Sequence, residues 1–132
     1  MSLLSSKDLV LVPFDTRSRQ ETTRIVIHLL PNRFETASFR DIDLVFREMG
    51  ILESPFHFIQ TSDGEIHDSR DVKIVGGFSA DSIDVAVLCD GGTPTFQQQS
   101  NLRDLVAALL QDYPEEKQLE VLTAIHEFRN TA

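Results

Sequence analysis

The sequence is short of cationic side chains, of cysteine and of long apolar runs, and each shortage removes a class of function. Twelve Lys and Arg stand against 21 Asp and Glu, a formal net charge of −9, which opposes long-range attraction to phosphate backbones and anionic lipid. Direct nucleic-acid binding and membrane binding are therefore not expected, and a basic protein surface is the better-matched partner. The single Cys89 sits in the apolar run Val85-Ala-Val-Leu-Cys, where a buried, inert thiol is the reading. No segment approaches the roughly 20 apolar residues of a membrane span. Met1-Ser-Leu-Leu-Ser-Ser lacks a charged n-region followed by a long apolar stretch, so a cytoplasmic location is expected. Gly76-Gly77 and Gly91-Gly92 lack the surrounding spacing of a phosphate-binding loop, and no Ser-His-Asp order is arguable.

What remains is an ordinary globular composition. The 132 residues, 41% of them hydrophobic, predict one domain over 1–132. At this length folding buries roughly two thirds of the unfolded surface, so neither a disulfide nor a metal is obligatory for stability. Neither repeats nor a domain linker interrupt the chain.

Residues 1–23 read as an N-terminal strand and arm. Asp8 to Phe14 is an apolar run interrupted by Pro13, and the polar stretch Asp15 to Thr23 carries Arg17, Arg19, Gln20 and Glu21 with no core-facing pattern. These four are candidate partner-binding residues on an exposed arm. The plain alternative is an edge strand over Leu9 to Phe14 and a simple connection to the next strand.

Ile25-Val-Ile-His-Leu-Leu, closed by Pro31-Asn32, is a buried central strand by its β-branched content. Ser38 with Asp41 resembles a capping box, followed by Phe39, Ile42, Phe46 and Met49 near helical spacing up to Gly50. Phe56-His-Phe-Ile-Gln leads into Ser62-Asp-Gly64 and returns through Glu65-Ile-His67, a hairpin signal because Asp-Gly supplies positive φ. Ser82 to Cys89 is a third central strand. Thr95 with Gln98 forms a capping box before Leu102, Leu105, Val106, Leu109 and Leu110, a helix running to Tyr113. The tail carries two patterns. Leu119, Leu122 and Ile125 are helically spaced after Pro114-Glu-Glu-Lys, whereas Leu119, Val121 and Thr123 alternate as in a strand; propensity favours the helix.

From Ile25 to Phe128 this order, with several local segments, resembles the small phage N-acetylmuramoyl-L-alanine amidases, the zinc fold shared with peptidoglycan recognition proteins. Ile25-Val-Ile-His28 matches the strand whose final His binds zinc. Phe56-His57-Phe58-Ile59 with Asp63-Gly64 is similar to the family's Tyr-His-Phe and following turn. Ser69-Arg70-Asp71 resembles its polar run, and Ser82-Ile83-Asp84-Val85 is similar to its Ser-Ile-Gly-Val strand. The implied architecture is α/β, a mixed central sheet flanked by helices.

The departures fall on the chemistry. Phe56 stands at the catalytic Tyr. The best-matching register of Val121-Leu122-Thr123-Ala124-Ile125-His126-Glu127 places Ile125 at the second zinc-ligand position, and a shift of one residue to rescue His126 turns a strand side chain to the other face. The third ligand and the downstream Lys or Thr have no counterpart. A catalytic zinc takes three protein ligands and an open water position, so no metal and no cofactor are expected. The resemblance implies a pseudoenzyme whose vestigial cleft holds His28, Phe56, His57, Ile125 and His126.

Each histidine also has a plain reading. His28 is equally a buried ring bonded to a neighbouring group, His57 a structural hydrogen-bond partner, and His67-Asp68 an exposed pair. Glu65, Asp68 and Asp71 look like a metal or acid/base cluster, yet a polar run beside a hairpin is usually a solvated face.

The leading expectation is a catalytically inactive amidase homologue acting by protein binding, inhibiting or regulating an RNA polymerase or another intracellular protein, because the resemblance implies that role for the same small fold in short-tailed phages. The location is then the host cytoplasm. The alternative is a muropeptide-binding or lysis protein that does not cut. A zinc amidase with ligands rebuilt from His28, His57 and His126 is the weaker third.

Overall fold

The computed structural model describes residues 2–5, 17–30, 54–89, 93–113 and 119–125. Among them, six strands form one sheet: β1 (Ser2–Ser5), β2 (Arg24–Leu30), β3 (Phe58–Gln60), β4 (Ile66–Asp68), β5 (Ser82–Leu88) and β6 (Glu120–Ile125). Their order across the sheet is β1-β6-β2-β5-β3-β4. Neighbours run parallel except β3 and β4, which are antiparallel. Helix α1 (Phe96–Asp112) packs on one face. The α/β class and mixed central sheet expected from the sequence are therefore present.

β2 and β5 pair along their full length, Ile25 beside Ile83 and Leu30 beside Leu88, and both are buried on two sides as continuous aliphatic runs require. Alternation divides them between faces. Ile25, Ile27, Leu29, Ile83, Val85 and Val87 form the cluster under α1, with Leu109 of the helix buried against it. Val26 lies on the other face with Leu122 and Ala124. His28 and Asp84 belong to that second face, since Val26 pairs with Asp84 and His28 with Ala86.

The local signals hold where they predict local structure. Thr95 accepts from the Gln98 amide, and the Gln98 side chain accepts from Thr95 N–H, which completes the capping box. The same buried Gln98 donates to the carbonyls of Thr61 and Leu88 at 3.0 and 2.8 Å, fixing the start of the helix to the ends of β3 and β5. Gly64 has φ 91° in the β3–β4 turn, the left-handed conformation that the Asp-Gly sequence anticipates.

Two expectations need correction. Residues 120–125 form strand β6, not a helix. β6 is bonded on both sides, to β1 and β2, and this pairing with burial of Leu122 and Ala124 outweighs helix preferences of a few tenths of a kcal/mol per residue. Ser2–Ser5 pairs with β6 and stands at the end of the described strand order. The arm is also not free: Ser18 bridges Ile74, Arg19 N–H donates to the Lys73 carbonyl, and Val75 N–H donates to the Arg17 carbonyl. The expected helix over 38–50, the run Asp8 to Phe14 and His126 lie outside the described residues.

Candidate functional site

The site grows from an unusual residue in an apolar strand. Asp84 interrupts Ile83-Asp84-Val85-Ala86-Val87 and is completely buried, so its carboxylate needs partners from the fold. His28 supplies one, its Nε2 lying 2.9 Å from Asp84 Oδ1. The Ser82 hydroxyl supplies another, 3.2 Å from Oδ1 and 3.1 Å from Oδ2. An ionised carboxylate only accepts, so the imidazole N–H and the hydroxyl are the donors. His28 too is fully buried.

His57 stands beside this pair but is bonded to main chain. Its Nδ1 accepts the Asp84 backbone N–H at 2.9 Å, and its Nε2 lies 2.7 Å from the Ile74 carbonyl, which makes Nε2–H the donor and the ring neutral. Burial holds the His57 imidazole below its ordinary value; the Ile74 carbonyl and the Asp84 charge oppose this, and Arg19 and Arg70 add to it. The Asp84 Oδ2 atom 3.9 Å from His57 Nδ1 is not an ion pair in this tautomer, because the Nδ1 lone pair already holds a backbone proton.

Two aromatic rings close over His28. Phe78 stacks on it with centroids 4.3 Å apart and planes 29° apart, and Phe56 meets it edge-on at 5.0 Å and 67°. The rings lie 5.3 Å from each other. Their backbones are tied together: Gly77 N–H donates to the Pro55 carbonyl, while the Arg70 guanidinium donates to the Ser54 carbonyl at 2.8 and 3.0 Å and to the Val75 carbonyl at 3.3 Å. Gly76 must remain glycine here. A Cβ on it would lie 2.5 Å from Asp84 Oδ2 and 2.8 Å from His57 Cε1.

Of the five cleft residues named from the sequence, the structure joins three, His28, Phe56 and His57. Ile125 pairs with Leu29, and it is Ala124 that pairs with His28; His126 is outside the described residues. Sequence reasoning passed over Asp84 and Phe78. Asp84 carried a signal, a carboxylate in an apolar strand at the place of the glycine in the resembling Ser-Ile-Gly-Val. Phe78 carried none that spacing reveals.

A catalytic zinc needs three protein donors and an accessible fourth position. Among the described residues the donors around His28 are Asp84 and His57, and His57 has no ring nitrogen to give. His28 and Asp84, bonded to each other beneath two rings, do not fit that ion. No group of three His, Cys, Asp or Glu among the described residues is placed to hold a metal.

The four candidate partner-binding residues divide. Arg19 is half-buried and donates to Thr22 Oγ1 at 2.8 Å, to the Val72 carbonyl and to the Tyr113 hydroxyl at 3.0 Å, with its guanidinium 5.4 Å from the Tyr113 ring centre. It is an anchor between the segment and the end of α1. Arg17, Gln20 and Glu21 are exposed and border a surface recess of about 440 Å³ that Val75 and Asp81 also line.

This architecture is that of peptidoglycan recognition proteins and N-acetylmuramoyl-L-alanine amidases. Drosophila PGRP-LB superposes with a TM-score of 0.62 at 19% identity, over 92% of this chain and 81% of that one. Drosophila PGRP-SD gives 0.66 at 12%, over 92% and 81%, and the endolysin amidase LysCS from Clostridium intestinale gives 0.61 at 17%, over 93% and 80%. At these identities the likeness establishes the fold. The sequence matches no family model and no curated protein.

Proposed function

We propose that this chain is a catalytically inactive protein of the amidase fold that acts by binding another protein, with RNA polymerase as the first partner to test. The observation that carries the inactive half is the His28–Asp84 pair under Phe56 and Phe78. The Nε2–H of His28 is committed to a buried carboxylate, the ring is fully buried beside the two phenylalanines, and no group of three donors that a zinc site needs stands among the described residues. Protein binding follows from what the outside offers, a net charge of −9 that accelerates encounter with a basic partner. This reading carries a cytoplasmic location with it.

A second reading is binding of a muropeptide without cleavage. It is supported by neighbours solved in complex with tracheal cytotoxin, PGRP-LE and a tyrosine-to-phenylalanine mutant of PGRP-LB.

Three measurements on the purified protein separate the readings. Elemental analysis is expected to find far less than one zinc per chain, and labelled peptidoglycan is expected to release no dye. One tightly held zinc together with hydrolysis abolished by His28→Ala would establish an active amidase instead. Immobilised protein is then offered peptidoglycan and a purified single-subunit RNA polymerase with its transcription assay. Retention of the polymerase with inhibited transcription supports the proposal; retention of peptidoglycan alone establishes the second reading.

A further inference from the structure

The helix does not fill the sheet face it covers. Between α1 and strands β2 and β6 lies a half-open groove of about 360 Å³, at the small end of the roughly 300–1,000 Å³ range of ligand pockets. Ile27, Leu29, Val106 and Val121 line it, with Gln99 and Arg103 on its exposed side. Leu109, further along the helix, is buried against the same sheet, so the space is confined to the first part of α1. Aliphatic side chains facing such a groove forgo dispersion contacts that an apolar ligand would restore.

The mouth adds a charge. Arg103 is exposed, and no described residue bonds to its guanidinium, whereas Gln99 is engaged with the Pro94 carbonyl at 3.0 Å. A guanidinium that no described residue engages, beside an aliphatic groove, matches an anion with a slender apolar body at short range. The groove is too small for a two-chain lipid. We propose that it binds a free medium-chain fatty acid, its hydrocarbon among the aliphatic residues and its carboxylate on Arg103. The inference does not depend on the proposed function, because Ile27 and Leu29 lie on the sheet face opposite to His28.

Calorimetric titration of the full chain with hexanoate, octanoate, decanoate, decanol and decyltrimethylammonium tests it. Affinity is expected to rise about fourfold per added methylene until the groove is full, with decanoate preferred to decanol by about tenfold and the cation weakest. Arg103→Gln, at an exposed position, should erase the preference for decanoate while sparing decanol. Val106→Phe, which fills the groove, should weaken every probe by tenfold or more, roughly the loss of two buried methylenes, with circular dichroism confirming its fold. Equal affinity for decanoate and the cation, indifference to Val106→Phe in a folded variant, or no saturable binding below about 1 mM overturns the proposal.

Discussion

Nε2 of His28 lies 2.9 Å from Oδ1 of Asp84, joining two fully buried side chains that are 56 residues apart in sequence. Removing one partner strands the other away from water. Asp84→Ala is therefore expected to lower stability by about 3 kcal/mol, and Asp84→Asn by less, since an amide keeps a contact with Ser82. Urea denaturation at neutral pH measures both, and an unchanged midpoint for Asp84→Ala would show that the pair does not hold the fold.

Phe56 is the position at which the sequence resemblance expects a tyrosine. Its ring is 2% exposed and packs on His28 and Phe78, so an added hydroxyl is taken out of water. Phe56→Tyr should cost about 1–3 kcal/mol and leave peptidoglycan untouched. Recovery of dye release by this one change would mean that the remaining site is functional.

The buried His57 predicts an acid weakness. Burial depresses its protonation below the ordinary value of 6.5, so as pH drops below 6.5 the unfolded chain takes up a proton that the native state refuses. The unfolded state then binds more protons, and stability falls with pH through that window until the native ring also titrates. The urea midpoint should fall between pH 7.5 and pH 5.5, and less steeply in His57→Gln. Parallel pH profiles would remove His57 as the cause.

Arg17 and Arg19 should part company. Arg19→Ala loses its bonds to Thr22, Val72 and Tyr113 and is expected to cost about 1–2 kcal/mol, whereas Arg17→Ala, at an exposed position, should leave the thermal midpoint within a degree or two, as most surface changes do. Equal midpoints for the two variants would return Arg19 to the status of a free contact residue.

The parts of this molecule legible in the sequence are those that a few neighbouring residues determine. The Thr95–Gln98 box, the Asp63-Gly64 turn and the aliphatic runs of β2 and β5 each act over a short span, and each was found where it was expected. His28 meets the Phe56 ring and shares Asp84 with His57, a grouping that the sequence offered only through the resemblance. What local pattern could not show depends on distant partners: the His28–Asp84 pair, the contact of Arg19 with Tyr113 94 residues later, and the pairing that turns 120–125 into a strand. Arg19 looked free because its partners are a carbonyl and two hydroxyls, which leave no mark on periodicity.

The position of β6 also governs when this protein can fold as it is made. Ser2 pairs with Leu122, and Ile25 with Val121, so the last of the described strands in chain order joins the two described strands that precede all the others. Until it leaves the ribosome, β1 has neither of its hydrogen-bonding edges filled by a described neighbour, and β2 exposes one edge along its length. A nascent chain halted before residue 120 is thus an open, apolar sheet edge, the kind of surface that recruits other chains. Closure of the sheet is tied to the synthesis of β6, and forms truncated before residue 120 should be found in aggregates or bound to chaperones.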